Sequence, residues 1–343
     1  MYSSNRIAYW MSDKKLQKIN WKEFEKICMK YNFEIFKLDL NKSLESQGPF
    51  NVFLHKLTDI IALENQGDPK SSHIIKAVEC YISEHPSIIV IDPIPNVRRL
   101  LARYQCYSII HATGLHKYGI FTPNFCEITS YDKEKTIQQL KDANVRYPFI
   151  CKPLLGHGSK KAHEMCIIFN EKYLKDCRAP CVAQTFINHN AILYKIFVIG
   201  QQFYFVERPS LKNFYESDRK TICFASSDIS RANSQSSLSV LDPEDISVQE
   251  IKPNPKILQK IAETLRLAFE MDLIGIDVVI ENSTGKYGIV DVNAYPGYDG
   301  FPNLYDALLQ CIISKVNNKN QITDCMISND NPSNIVLNHL NNT

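Results

Sequence analysis

The chain has 343 residues, 44% of them hydrophobic, and a formal net charge of +2. That is enough apolar content for a core spread over two or three lobes, and the near-neutral balance gives no global case for nucleic acid or a membrane surface as partner. Eleven cysteines are scattered singly, without a Cys-x-x-Cys pair or zinc spacing, so a reducing, cytoplasmic setting is expected.

The start, "MYSSNRIAYWMSDKK", has no apolar signal core, and no later run approaches the length of a membrane span. "RIAYW" (6–10) is strand-like, and "NWKEFEKICMKY" (20–31) has helical apolar spacing behind an Asn cap. Strands at 33–40 and 51–57, a helix at 71–84 and the apolar run "SIIVIDP" (87–93) complete a βαβ pattern, which implies a parallel sheet. One helix is expected from "PIPNV" to about 110, and a domain boundary near 113. The next section is dense in strands of antiparallel character: 147–153, 164–170, 181–186, 192–200 and 201–209, the last two joined by a turn at Gly200-Gln201. A serine-rich loop (226–239), a helix (254–270), two strands (273–282 and 287–293) and a closing helix at about 303–316 follow. The Asn/Ser-rich tail after it is expected to be disordered. The expected division is 1–113, 114–188 and 189–318, with the tail at 319–343.

Three polar side chains interrupt the two late strands. Asp291 and Asn293, in "GIVDVNAYPG", are two apart and share a strand face, with Val290 and Val292 pointing away. Asp277 lies in "IGIDVVI", and the link "NSTGK" (282–286) would make the strands antiparallel neighbours. Buried carboxylates without partners cost several kcal/mol each, and a hard divalent cation resolves that cost. Mg²⁺ favours one or two carboxylates together with substrate phosphates. A solvated strand face without metal is the alternative. Lys152 and Lys195 are likewise single charges in apolar strands, "PFICKPL" and "ILYKIFVIG". Lysine is rarely buried unpaired, and phosphate oxygens would pair with both. The intervening "LLGHGSKKAHEM" offers Gly156, Gly158 and Ser159 to a ligand but is not a Walker A loop.

Strand lysine, glycine loop, "AQTFINH", Lys195 and a late Asp…Asp-x-Asn form the layout of an ATP-grasp enzyme. The segments "AYWMSDKK", "HKLTD", "PFICKP", "QTFINHNAILYK", "ERPSLKNF", "GIDVVI" and "DVNAYPGYDG" further resemble the inositol-1,3,4-trisphosphate 5/6-kinase family, from about 6 to 318. The resemblance implies an α/β, ATP-grasp fold: a Rossmann-like parallel-sheet domain that binds inositol phosphate, then two antiparallel-sheet lobes clamping ATP. Adenine would sit against the hinge Gln184, Thr185, Phe186, Ile187, Asn188, His189 and Asn190. Arg103 and Lys152 would contact nucleotide phosphates, and Ser210, Ser226 and Ser230 the nucleotide. Asp277, Asp291 and Asn293 would hold two Mg²⁺ ions. Lys15, Lys56, His163, Lys195 and Asn293, with the Gly297 backbone, would bind the inositol phosphate. His163 is preferred to His157 because it adjoins the strand "EMCIIFN". The glycine loop is one residue longer than the family pattern, and the segment between Phe214 and Ser226 is shorter.

The implied reaction moves the ATP γ-phosphoryl group to the 5- or 6-hydroxyl of inositol 1,3,4-trisphosphate, or the 1-hydroxyl of inositol 3,4,5,6-tetrakisphosphate. Lys195, Asp277 and Asp291 would surround the transferred group. The protein must align attacker and leaving oxygen and neutralise charge, and no convincing general base is visible. Two rivals differ in class. An ATP-grasp carboxylate–amine ligase usually carries Glu rather than Asp in the late metal motif and an arginine nearby, and 277–293 contains no arginine. A non-catalytic inositol phosphate scaffold should have lost metal ligands or phosphate lysines, and all are present. A protein kinase would need HRD and DFG signatures, which are missing. A monomer without nucleic-acid or membrane partners is expected.

Overall fold

A computed structural model describes residues 5–154, 160–230, 234–246 and 251–329. β1 (Asn5–Trp10) leads into the one-turn helix α1 (Asp13–Leu16) and into α2 (Trp21–Lys30), whose Trp21, Phe24 and Cys28 are buried at helical spacing. β2 (Phe33–Lys37), β3 (Val52–His55), α3 (Thr58–Asn65), α4 (Pro69–Glu84) and β4 (Ile89–Ile91) follow. The strands form a parallel sheet in the order β2-β1-β3-β4. All of β3 is buried, as a strand covered on both faces must be.

Two helices form where one was expected. α5 (Ile94–Leu101) and α6 (Arg103–Ala112) break at Ala102, which is extended. The break lets the Arg103 N–H donate to the Leu154 carbonyl at 3.0 Å, so α6 is clipped to a distant strand end.

β5 (Ile120–Phe121) pairs in the third sheet, and β6 (Phe125–Ile128) opens the second. After α7 (Lys133–Asp142), the second sheet gains β7 (Phe149–Pro153), β8 (Glu164–Ile168) and β9 (Cys181–Thr185). The third sheet takes β10 (Ile192–Ile199) and β11 (Gln202–Pro209), joined by the expected hairpin turn with Gly200 at φ 57°. β12 (Ile222–Ala225) then crosses back to pair with β8, followed by the short α8 (Ser226–Ile229). The second sheet is thus β12-β8-β7-β9-β6, completed by a strand from the 189–318 segment. Cys166 and Cys223 are register partners on β8 and β12 and form a disulfide. Scattered single cysteines gave no sign of it, because strand pairing joins residues 57 apart.

α9 (Pro255–Phe269), β13 (Leu273–Ile280) and β14 (Tyr287–Ala294) complete the third sheet, β11-β10-β13-β14-β5. α10 (Leu304–Asn329) closes the chain, running past 316 and through the first part of the tail expected to be disordered. No helix among the described residues is long and apolar enough to cross a membrane.

β13 and β14 are antiparallel, but their register shifts: Asp277 pairs with Asp291 and Val278 with Ile289, leaving Val290 as the extra residue of a β-bulge. The alternation expected across 288–293 therefore changes parity at Val290. Tyr287 and Ile289 before it, and Val292 and Ala294 after it, all enter one core. Val290, Asp291 and Asn293 all border the cleft described next.

The first and third sheets are tied at a buried junction. The Asp92 carboxylate, just past β4, accepts the Asp272 N–H at 2.7 Å and the Leu273 N–H at 3.0 Å.

Candidate active site

A cleft of about 270 Å³ lies between the second and third sheets. Its chemistry is graded by strand alternation. Ile150 and Lys152 on β7, Leu193 and Lys195 on β10, and Val279 and Asp277 on β13 each face it two residues apart. One end is therefore apolar, extended by Met165, Phe186, Leu211 and Phe224, and the other is charged. Sequence reading found the charged member of each pair. It missed the apolar partner, although period-two spacing from Lys152, Lys195 and Asp277 points to it.

At the charged end, Lys195 Nζ lies 2.8 Å from Asp277 Oδ1, and Asn293 Nδ2 donates to Asp277 Oδ2 at 3.4 Å. Burial pushes the Asp277 carboxyl above its ordinary range, while Lys195 pulls it down. Arg103 Nη1 donates to Asp291 Oδ1 at 2.9 Å, and its Nε to the Pro153 carbonyl at 2.9 Å. Lys152 is buried and donates to Gln184 Oε1 (2.7 Å), the Val290 carbonyl (2.8 Å) and the Tyr107 hydroxyl (3.0 Å). Burial lowers its pKa to about 8. Gln184 Nε2 is buried and has no protein acceptor among the described residues, so it offers a donor to whatever fills the cleft.

Asp277, Asp291 and Asn293 converge as two carboxylates and an amide. No cluster of three or more His, Cys, Asp or Glu suited to a metal exists among the described residues. Two carboxylates and an amide still fit a hard cation that takes its remaining ligands from phosphates.

The hinge between the lobes is a polar lattice. His189 is buried, with Nδ1 2.6 Å from the Ile187 carbonyl and Nε2 2.7 Å from Ser210 Oγ. Burial lowers its pKa to about 4, so the ring is neutral. Asn190 (φ 54°) and Ala191 (φ 60°) are both left-handed. Asn213 braces them: its Oδ1 accepts the Asn190 N–H at 2.9 Å and its Nδ2 donates to Asn190 Oδ1 at 2.8 Å. Asn188 Oδ1 accepts the Phe214 N–H at 2.8 Å. Gln184, Thr185, Phe186, Ile187 and His189 border the cleft; Asn188 and Asn190 instead hold the hinge backbone.

Ser210, Ser226 and Ser230 border the cleft, as does Ser227, which the sequence did not single out. His163 borders it too, and burial lowers its pKa. His157, Gly156, Gly158 and Ser159 lie outside the described residues.

Lys15 and Lys56 stand at the edge of the cleft rather than in it. Lys56 Nζ donates to the Tyr295 carbonyl at 2.6 Å, and Lys15 Nζ to the Pro296 carbonyl at 2.9 Å. These bonds hold the turn after β14, where Tyr295 (φ 41°) and Tyr298 (φ 60°) are left-handed and Gly297 sits beside the held carbonyl. Gly275, opposite Asn293, leaves room for the turn: a Cβ there would come within 2.9 Å of the Pro296 ring. Burial lowers the pKa of Lys56 to about 7 and of Lys15 to about 8.

Family models described as the inositol 1,3,4-trisphosphate 5/6-kinase pre-ATP-grasp domain and ATP-grasp domain match residues 6–97 and 115–314. An inositol-tetrakisphosphate 1-kinase of Danio rerio is 42% identical over 90% of this chain and 78% of its own length. Its counterpart in Xenopus laevis is 40% identical over the same shares. The solved D-alanine–D-alanine ligase of Bacillus anthracis, complexed with ATP, shares the fold at a TM-score of 0.52 and 13% identity, over 93% of this chain and 99% of that one. The chain belongs to the inositol 1,3,4-trisphosphate 5/6-kinase family of ATP-grasp kinases.

Proposed function

We propose that this kinase passes the ATP γ-phosphoryl group to the 5- or 6-hydroxyl of inositol 1,3,4-trisphosphate and to the 1-hydroxyl of inositol 3,4,5,6-tetrakisphosphate. The observation that carries the reading is the cation layout. Lys195 stands at the charged end of the cleft, and Lys15 and Lys56 flank it on the turn after β14. A polyphosphorylated acceptor needs several cations at fixed points, and an amino-acid acceptor does not.

Adenine takes the apolar end against the hinge, with Gln184 Nε2 as one free donor. Arg103 and Lys152 hold the nucleotide phosphates, with Ser210, Ser226 and Ser230 along the nucleotide. Lys195 meets donor and acceptor, and His163, Asn293 and the Gly297 backbone contact the acceptor. Magnesium, which we take to be two ions held by Asp277, Asp291 and Asn293, supplies charge neutralisation on the phosphates when bound. The rest of catalysis is alignment. Asp277 is ion-paired to Lys195 and is not a free general base, so the hydroxyl proton leaves to phosphate or solvent. We further propose that the protein works as a cytoplasmic monomer divided at about 113 and 188, with 1–113 holding most acceptor cations.

Incubation with Mg-ATP and either acceptor should give more highly phosphorylated inositols on anion-exchange chromatography. No turnover of either, with amino-acid-dependent ADP release instead, would sink the reading in favour of a ligase.

A further inference from the structure

Tyr107 is fully buried on α6, one turn after Arg103, and does not border the cleft. Its hydroxyl donates to the Val290 carbonyl at 3.0 Å and accepts from Lys152 Nζ at 3.0 Å and Arg103 Nη1 at 3.4 Å. Burial pushes the phenol well above its ordinary range, so it stays a hydroxyl. We propose that Tyr107 is the positioning residue for Lys152, and that the bulge at Val290 exists to make this contact.

A lysine ammonium has three donors, and those of Lys152 go to Gln184, Val290 and Tyr107. Gln184 and Val290 border the cleft, so an entering phosphate oxygen can take the place of either. Tyr107 approaches from the protein interior and is the contact a ligand does not reach. It therefore holds Nζ in place while the front contacts exchange. Val290 is the strand residue without a register partner, which leaves its carbonyl available to both Tyr107 and Lys152. Because the next residue is Asp291, the phenol also fixes the spacing between the lysine and that carboxylate. The inference rests on Lys152 contacting nucleotide phosphate, and the test separates the two claims.

ATP and acceptor KM are measured for wild type, Tyr107→Phe, Lys152→Met and the double variant, with a thermal melt of each. Tyr107→Phe should raise the ATP KM by about tenfold, the scale of one lost hydrogen bond to a charged group, and leave the acceptor KM unchanged. In the Lys152→Met background its effect on the ATP KM should be much smaller, because only the longer Arg103 contact remains to be lost. An unchanged ATP KM in Tyr107→Phe, or an equal rise in both backgrounds, overturns the proposal. An unchanged ATP KM in Lys152→Met overturns the phosphate contact along with it. Should Tyr107→Phe fail to fold, 3-fluorotyrosine at position 107 keeps the volume and weakens the acceptor oxygen. It should then raise the ATP KM alone, and no change in that KM overturns the proposal.

Discussion

At the scale of single residues, Lys15 and Lys56, which we propose bind the acceptor, are held partly discharged. Around Lys56, Lys15, Lys195 and Lys18 lower the pKa and Asp59 opposes them; around Lys15, Lys18 lowers it and Asp299 opposes. Burial is the larger cause, lowering Lys56 to about 7 and Lys15 to about 8. A neutral lysine must take up a proton to meet a phosphate, so acceptor binding consumes protons by linkage. Both charges are in place below pH 7, so acceptor affinity should fall as pH rises through 7 to 8. The acceptor KM should rise over that window by up to about tenfold per pH unit for each lysine. Calorimetry in buffers of different ionisation enthalpy should show net proton uptake. A flat KM and no buffer dependence between pH 6.5 and 8.5 would count against it. Lys152, Lys195 and Asp277 were legible in sequence because each is a lone charge in an apolar strand. Tyr107 was not, because a tyrosine on the inner face of a helix reads as core, and only the fold brings Lys152 to its hydroxyl.

At the scale of elements, the hinge is the costly piece. Two consecutive left-handed residues that are not glycine cost roughly 1–2 kcal/mol each, and the Asn213 side chain holds Asn190 in that state through two hydrogen bonds. Asn213→Ala should destabilise the protein by about 1–3 kcal/mol, because the Asn190 N–H loses its acceptor. It should also raise the ATP KM while sparing the acceptor KM, as read by urea unfolding and steady-state kinetics. The strands and the hairpins at 200–201 and 282–286 were readable from period-two spacing and turn residues. The break at Ala102 was not, since the contact it permits, from the Arg103 N–H to the Leu154 carbonyl, joins residues distant in sequence. The bulge was also hidden: a period-two reading of 288–293 is self-consistent, and only the pairing with β13 reveals the extra residue.

At the scale of the whole molecule, Lys15 and Lys56 come from the segment of the first sheet and Asp277, Asp291 and Asn293 from the third sheet, and the separation of these two groups depends on the junction at Asp92. Its carboxylate accepts two buried N–H groups from the start of β13. Asp92→Ala would leave both unsatisfied, at about 1–3 kcal/mol each. Thermal unfolding should move down accordingly, and the acceptor KM should rise more than the ATP KM, because Lys15 and Lys56 shift relative to the turn they hold. Equal effects on the two KM values would mean that the junction only stabilises the fold. Asp92 reads in sequence as the end of a strand; its role appears only when the first and third sheets are brought together. The same long-range logic governs β14, which behaves like text with a reading frame. Odd-numbered residues before Val290 and even-numbered residues after it fill one core, so loss or gain of one residue there would put Ile289 or Val292 out of phase. The core face of this strand should therefore tolerate changes of letter, one apolar residue for another, far better than a change of length.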